Sequence, residues 1–222
     1  MSAAASRTKL AVVGVPHPAV VALAAALGAG EPWPAPEAPK PSGFEWSFAA
    51  GLQKWREKSA AALRGAERIV VCTWPRPSPP RPCIELDAGE WCVAAEWELA
   101  LGFTALQAAA AACADGGAIV AVVERPAALD SAGRGPLVAV AEGMITFARS
   151  LALGEGARGV RINVVSSEIW TAPERLLGSP PPLRTFPGRA EVEVAGAVRM
   201  LLSADAAGVT GSVVRADCGR SW

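Results

Sequence analysis

Two kinds of segment alternate along the chain. Short β-branched apolar runs recur at Leu10–Val15 (LAVVGV), Arg68–Thr73 (RIVVCT), Ala118–Val123 (AIVAVV), Val160–Val165 (VRINVV) and Gly211–Ala216 (GSVVRA). Runs this short, with little polar alternation, suit strands buried on both faces. Longer stretches lie between them: Ala19–Gly28, a helix within Phe44–Ala66, Trp91–Cys113, Leu137–Leu153 and Arg189–Ser203. In the second of these, Leu52, Trp55, Ser59 and Leu63 fall on one helical face. In the last, Val192, Ala195, Val198 or Arg199, and Leu202 recur at helical spacing. Gly28 and Gly30 stop the first helix. Strand and helix in alternation, with helices long enough for crossovers, predict an α/β fold: a doubly wound parallel sheet covered on both faces.

Two proline clusters interrupt this pattern. Residues 32–43 hold Pro32, Pro34, Pro36, Pro39 and Pro41, which predicts an extended arm. The second cluster, Pro75 to Pro82, predicts a loop. No internal repeat is present, and neither side of a cluster completes a sheet, so 1–222 reads as a single domain.

Charge and composition remove several classes of function. Lys plus Arg total 21 and Asp plus Glu total 21, so the net charge of zero gives no reason to expect nucleic acid or an anionic membrane as partner. The cysteines at 72, 83, 92, 113 and 218 show no CxxC spacing, and a single His makes an ordinary zinc site implausible. Leu10–Val15 is too short for a signal segment and is followed by Pro16 and Pro18. Ala105–Cys113 cannot span a bilayer that needs about 20 apolar residues. The expectation is a cytoplasmic protein with reduced cysteines. The residues available for chemistry are few: no Tyr, His17 as the one His, Asn163 as the one Asn, and Lys only at 9, 40, 54 and 58.

Phe147–Val165 (FARSLALGEGARGVRINVV) and Glu191–Cys218 (EVEVAGAVRMLLSADAAGVTGSVVRADC) resemble the short-chain dehydrogenase/reductase superfamily. The first is similar to the end of that family's catalytic helix and its sixth strand, the second to its penultimate helix, its SD-A-A-x-x-x-TG turn and its last strand. Lys9–Gly28 and Arg68–Thr73 are similar, less specifically, to its first and fourth strands. The resemblance implies a Rossmann-like sheet, here with the second and third strand region shortened or missing and replaced by the Pro-rich arm.

The departures from the family pattern carry the functional reading. The family holds its dinucleotide on a TGxxxGxG turn, where glycines admit the pyrophosphate to the amides of a helix N-terminus. The turn here reads Gly14-Val15-Pro16-His17-Pro18, and two prolines remove amide donors. Cys72-Thr73-Trp74-Pro75 replaces the family's NNAG segment. Aligned on RSLAL, Leu137 occupies the family's Tyr position, Ala141 its Lys position, and Glu124 or a neighbour its Ser position. The family's Asn belongs near Leu99–Gly102, where there is none. With no Tyr, and no Lys after Lys58, no realignment restores the pair that makes a phenol proton available. We therefore expect no catalytic, cofactor-binding or metal residues in this chain, with NAD(P) held by a partner subunit.

Other chemistry has few candidates. No Walker A, GxSxG or HExxH pattern occurs. His17 is a possible general base, and more simply a residue at the rim of a site. Glu124 ends the third predicted strand, where parallel sheets carry their sites. A salt bridge to Arg125 or Arg134 is its simpler role; Glu142 is similarly ambiguous, and Asp130 is a further proton-transfer candidate. Trp33, Trp46, Trp55, Trp74, Trp91 and Trp97 cluster in the half that departs from the family. They are expected to pack the arm over an emptied cleft, or to line a ligand pocket. The family assembles through its two long helices and its last helix and strand. The matching surface here is Ala105, Ala109, Val140, Met144, Phe147 and Leu151, with Trp222 at the C-terminus reaching a neighbour. The partner expected is an active short-chain dehydrogenase/reductase or a second copy, acting on a hydroxyacyl or ketoacyl thioester. The alternatives are cofactor-independent proton transfer in the same fold and a ligand-binding regulatory module.

Overall fold

A computed structural model describes residues 9–38, 48–74, 79–127, 131–168 and 190–219. Trp46, Asp130, Arg189 and Trp222 lie outside the described residues. Among those described, six strands form one parallel sheet in the order β2-β1-β3-β4-β5-β6. These strands are β1 (Leu10–Gly14), β2 (Trp33–Pro34), β3 (Ala66–Cys72), β4 (Cys113–Glu124), β5 (Arg161–Ser167) and β6 (Val213–Arg215). The helices are α1 (Pro18–Leu27), α2 (Phe48–Leu63), α3 (Ala88–Trp91), α4 (Glu98–Ala112), α5 (Gly135–Gly154) and α6 (Ala195–Leu202).

Alternation along each strand divides the core in two. Val13, Ile69, Val71, Ile119, Ala121, Ile162 and Val164 point to one face, where they meet α4 and α5. Val12, Val70, Cys72, Val120, Val122 and Val165 point to the other, where they meet α1 and α6. Each fully buried Val, Leu or Ile contributes about 1.5–3 kcal/mol, so both layers are needed to hold the sheet. A smaller cluster of Ala35, Leu52, Trp97 and Leu101 joins the arm to α2 and α4.

The structure refines the sequence reading in several places. The expected proline arm begins as a strand: Val13 and Gly14 pair with Trp33 and Pro34. Proline is tolerated there because β2 is an edge strand, where a missing donor breaks no interior ladder. The helix expected over Trp91–Cys113 starts earlier, at Ala88, on an Asp87–Glu90 capping box. It also carries a wider π-helical turn over Cys92–Trp97 before α4. Cys113 is the first residue of β4, not the last of a helix. Arg158 holds that corner: its guanidinium donates to the Ala110 and Cys113 carbonyls and pairs with Asp115 at 2.9 Å. By length and composition α5 is apolar enough to cross a bilayer. Its Val140, Ala141, Met144, Ile145, Ala148 and Ala152 are buried in the core.

Candidate functional site

Ligands of open parallel sheets gather at the carboxyl ends of the strands. Here the first segment at that edge is the turn after β1. A Cβ on Gly14 would lie 2.6 Å from Val20 Cγ1 and 3.0 Å from the Cys72 carbonyl oxygen. Glycine is therefore required by the contact of β1 with α1 and β3 inside the chain. The amides of the turn are also engaged within it. Val15 N–H donates to the Cys72 carbonyl at 3.2 Å, and His17 N–H to the Val15 carbonyl at 2.8 Å. Pro18 has no N–H, and the Ala19 amide donates to His17 Nδ1 at 3.1 Å. Val20 and Val21 N–H both donate to the His17 carbonyl. His17 is thus the cap of α1, and burial pushes its pKa down.

The arm closes over this turn. Ala35 N–H donates to the Gly14 carbonyl at 2.9 Å. Trp33 Nε1 donates to Ser59 Oγ at 2.9 Å, and Ser59 Oγ donates to the Trp55 carbonyl at 2.8 Å. Trp55 Nε1 donates back to the Pro34 carbonyl at 3.0 Å. Two indoles therefore fasten β2 to α2 in both directions. At the end of β3, Trp74 is 1% exposed and its Nε1 donates to the Val122 carbonyl at 2.8 Å. This side chain fills the edge of the sheet beside β4.

A cavity of about 210 Å³ remains between these pieces. The turn supplies Val15, Pro16 and His17; the arm supplies Pro36, Glu37 and Ala38. Trp74 walls it from β3, and the helix supplies Trp97, Glu98 and Leu101. Glu98 is buried, at 5% exposure, whereas Glu37 is exposed. Sequence reasoning placed the family's Asn position near Leu99–Gly102 and missed Glu98 one residue away. The signal was available: Glu96 and Glu98 are the only charges in Trp91–Cys113.

Further along the edge, Glu124 is buried as the last residue of β4, in register with Ser167. Arg125, one of the two cations expected beside Glu124, pairs with Glu142 on α5 at 2.7 Å. Glu168, overlooked in the sequence, follows β5 as a second buried carboxylate and accepts the Ala127 amide. Leu137 is half-buried in the first turn of α5, and Ala141 is buried one turn on. Neither side chain can carry a proton. Asn163 is structural: its amide donates to the Val209 carbonyl at 2.8 Å and accepts from Ser212 N–H at 3.0 Å. None of the five cysteines forms a disulfide, and burial pushes the Cys113 thiol up to about 11. Among the described residues, no three His, Cys, Asp or Glu side chains are grouped to hold a metal.

The expected assembly surface divides in two. Ala105, Ala109, Val140 and Met144 are buried in the core of the same chain. The close approach their size permits is made to the chain's own sheet and helices. Phe147 and Leu151 are only partly buried. Phe103, 36% exposed, meets Phe147 with ring centroids 4.7 Å apart. The open apolar face of the α4–α5 pair therefore centres on Phe103 and Phe147.

Residues 77–221 match the family described as enoyl-(acyl carrier protein) reductase. A comparison with the curated proteins finds no match. Among solved structures, a short-chain dehydrogenase/reductase from Serratia marcescens is similar at 18% identity and a TM-score of 0.63, covering 97% of this chain and 98% of that one. A Burkholderia xenovorans structure described as a short-chain dehydrogenase/reductase is similar at 20% identity and a TM-score of 0.66, covering 96% of each chain. A blue fluorescent protein from a metagenomic library, in complex with NADPH, shares 22% identity at a TM-score of 0.65, covering 96% of this chain and 98% of that one.

Proposed function

This chain belongs to the short-chain dehydrogenase/reductases, in the family described as enoyl-(acyl carrier protein) reductase, and from that premise we propose that it is a non-catalytic subunit. It assembles in the cytoplasm with an active NAD(P)-dependent member acting on a hydroxyacyl or ketoacyl thioester, stabilises it and completes its site. The observation that carries the reading is the turn after β1. Its amides are bonded within the chain, Pro18 offers none, and Gly14 is held against Val20. The described residues do not fit a dinucleotide at this turn, since a pyrophosphate needs outward amides and close backbone approach. The cavity beside it, about 210 Å³, is smaller than the ~300–1,000 Å³ of ordinary ligand sites.

Two further facts support the same reading. The chain has no Tyr, and Leu137 and Ala141 stand at the family's Tyr and Lys positions. The α4–α5 pair retains an open apolar face, where an interface core favours aromatic residues. The test is co-expression with an active dehydrogenase that keeps its own Tyr and Lys. The isolated chain should neither bind NADPH nor turn over acyl thioesters with it. The pair should co-purify, and the partner's activity or thermal stability should rise. Turnover by the isolated chain, micromolar NADPH binding, or a partner indifferent to its presence would each refute the proposal.

A further inference from the structure

At the opposite edge of the sheet, where the strands begin, two arginines face each other. Arg68, Ala118 and Arg161 are in register across β3, β4 and β5. Ala118 belongs to the core layer under α1 and α6, so all three residues share that face. Neighbouring strands lie about 4.8 Å apart, which sets the two arginine Cα atoms about 10 Å from each other. Both arginines are half-buried. Arg161 Nη1 donates to the Leu201 carbonyl at 2.8 Å, and Nη2 to the Ser203 carbonyl at 3.1 Å, at the C-terminal end of α6. A longer Nη1 contact of 3.4 Å reaches the Val209 carbonyl. These bonds fix the guanidinium and leave its Nε–H and one N–H of Nη2 unused among the described residues. The Arg68 side chain donates no hydrogen bond among the described residues. The ion pairs made by Arg81, Arg125 and Arg158 have no counterpart at either arginine among the described residues. The eight residues that precede Lys9 in the sequence contain no Asp or Glu. Burial, and then the charge of Arg68, push the Arg161 pKa down.

We propose that Arg68 and Arg161 form a binding site for a small phosphate-class oxyanion, free phosphate or the phosphate group of a small ester, seated over Ala118. Like charges held this close repel, and partial burial strengthens the repulsion; an anion between them replaces it with two attractions. The planar guanidinium fork matches the oxygens of a phosphate, and the carbonyls that fix Arg161 hold its fork ready. An occupied site ties β3 to β5 and to the end of α6. It lies at the other end of the strands from the turn after β1 and is independent of the subunit reading.

The test is a calorimetric titration of the full chain with inorganic phosphate and with glycerol 3-phosphate, at an ionic strength held constant with sodium chloride. Phosphate should bind saturably at one site and raise the thermal midpoint. Arg68→Gln removes no hydrogen bond of the described fold, so the variant should fold, and it should bind phosphate about tenfold more weakly or worse. Arg68→Lys should recover only part of the affinity, since an ammonium lacks the bidentate fork. Lys54→Gln removes the same charge from an exposed position on α2, which packs on the other face of the sheet, and should leave binding unchanged. Tighter binding of glycerol 3-phosphate than of phosphate assigns the site to an ester, and weaker binding to the free ion. No saturation with either compound, full affinity in Arg68→Gln, or an equal loss in Lys54→Gln would overturn the proposal.

Discussion

His17 shows how one residue can close a site and hold a helix at once. Its Nδ1 accepts the Ala19 amide, so the proton of the neutral ring sits on Nε2. Protonation of Nδ1 removes that acceptor and places a positive charge at the positive end of the α1 dipole. Burial already holds the folded pKa below the ordinary 6.5. The unfolded chain thus binds the proton more readily, and the stabilising contribution is complete above about pH 6.5. It is lost as pH falls from there through the depressed folded value. His17→Asn keeps a cap at every pH. We expect its urea midpoint to match the parent's at pH 8 and to exceed it increasingly below pH 6.5. The difference should not pass the ~1 kcal/mol a helix cap contributes. Glu37 and Glu98 line the same cavity and are present in both proteins, so the comparison cancels them. A constant difference across the range would show that His17 does not cap through Nδ1.

At the scale of elements, α4 and α5 meet through two glycines that neither helix needs for its own conformation. A Cβ on Gly102 would lie 2.2 Å from Met144 Sδ, and one on Gly143 would lie 2.4 Å from Leu99 Cδ1. Each glycine receives a side chain of the opposite helix. Gly102→Ala should gain about 1 kcal/mol of helix propensity, yet overpacking costs about 1–3 kcal/mol. Equilibrium unfolding should therefore show net destabilisation of the order of 1 kcal/mol, and a stabilised variant would mean the helices are not so close. Helices of this kind were legible because their apolar residues recur over many turns. The β-branched runs of β1, β3, β4 and β5 were legible because each is short and almost wholly apolar, as a strand covered on both faces must be. Other features were not. Trp33–Pro34 has no strand pattern, and only pairing with β1 makes it one. Cys113–Gly117 reads as a helix end followed by a turn, and the Arg158 guanidinium, distant in sequence, determines its path. Periodicity also could not separate the two uses of a small residue. Ala105 and Ala109 looked like places for another subunit's helix, yet they lie against the chain's own sheet.

The candidate site was legible only as a set of losses, because a missing Tyr or an added proline is visible in one dimension whereas a cavity is not. His17 is far in sequence from Trp97 and Glu98, and they meet only when the arm folds back over β1. At the same scale, the molecule divides its apolar surface unevenly. α1 and α6 turn most of their apolar residues to the sheet and leave Val21 and Met200 open, whereas α5 is apolar on more than the side the core covers. Phe103 and Phe147 hold that remaining surface in a tilted pair, and Leu153 stands almost fully exposed at the helix end. A charge introduced there separates folding from assembly. Phe103→Glu places a carboxylate on a face already open to water, so the unfolding free energy of the isolated chain should change by no more than about 0.5 kcal/mol. Buried at an interface core, the same carboxylate would be desolvated without a partner, which costs several kcal/mol and dissociates most complexes. Sedimentation of the co-expressed pair should therefore show separate subunits with Phe103→Glu, and an intact assembly with the control Ile84→Glu, whose exposed side chain lies on the segment before α3. An assembly that survives Phe103→Glu would place the docking surface elsewhere. A chain destabilised by more than about 1 kcal/mol would show that this aromatic pair serves the core of the molecule itself.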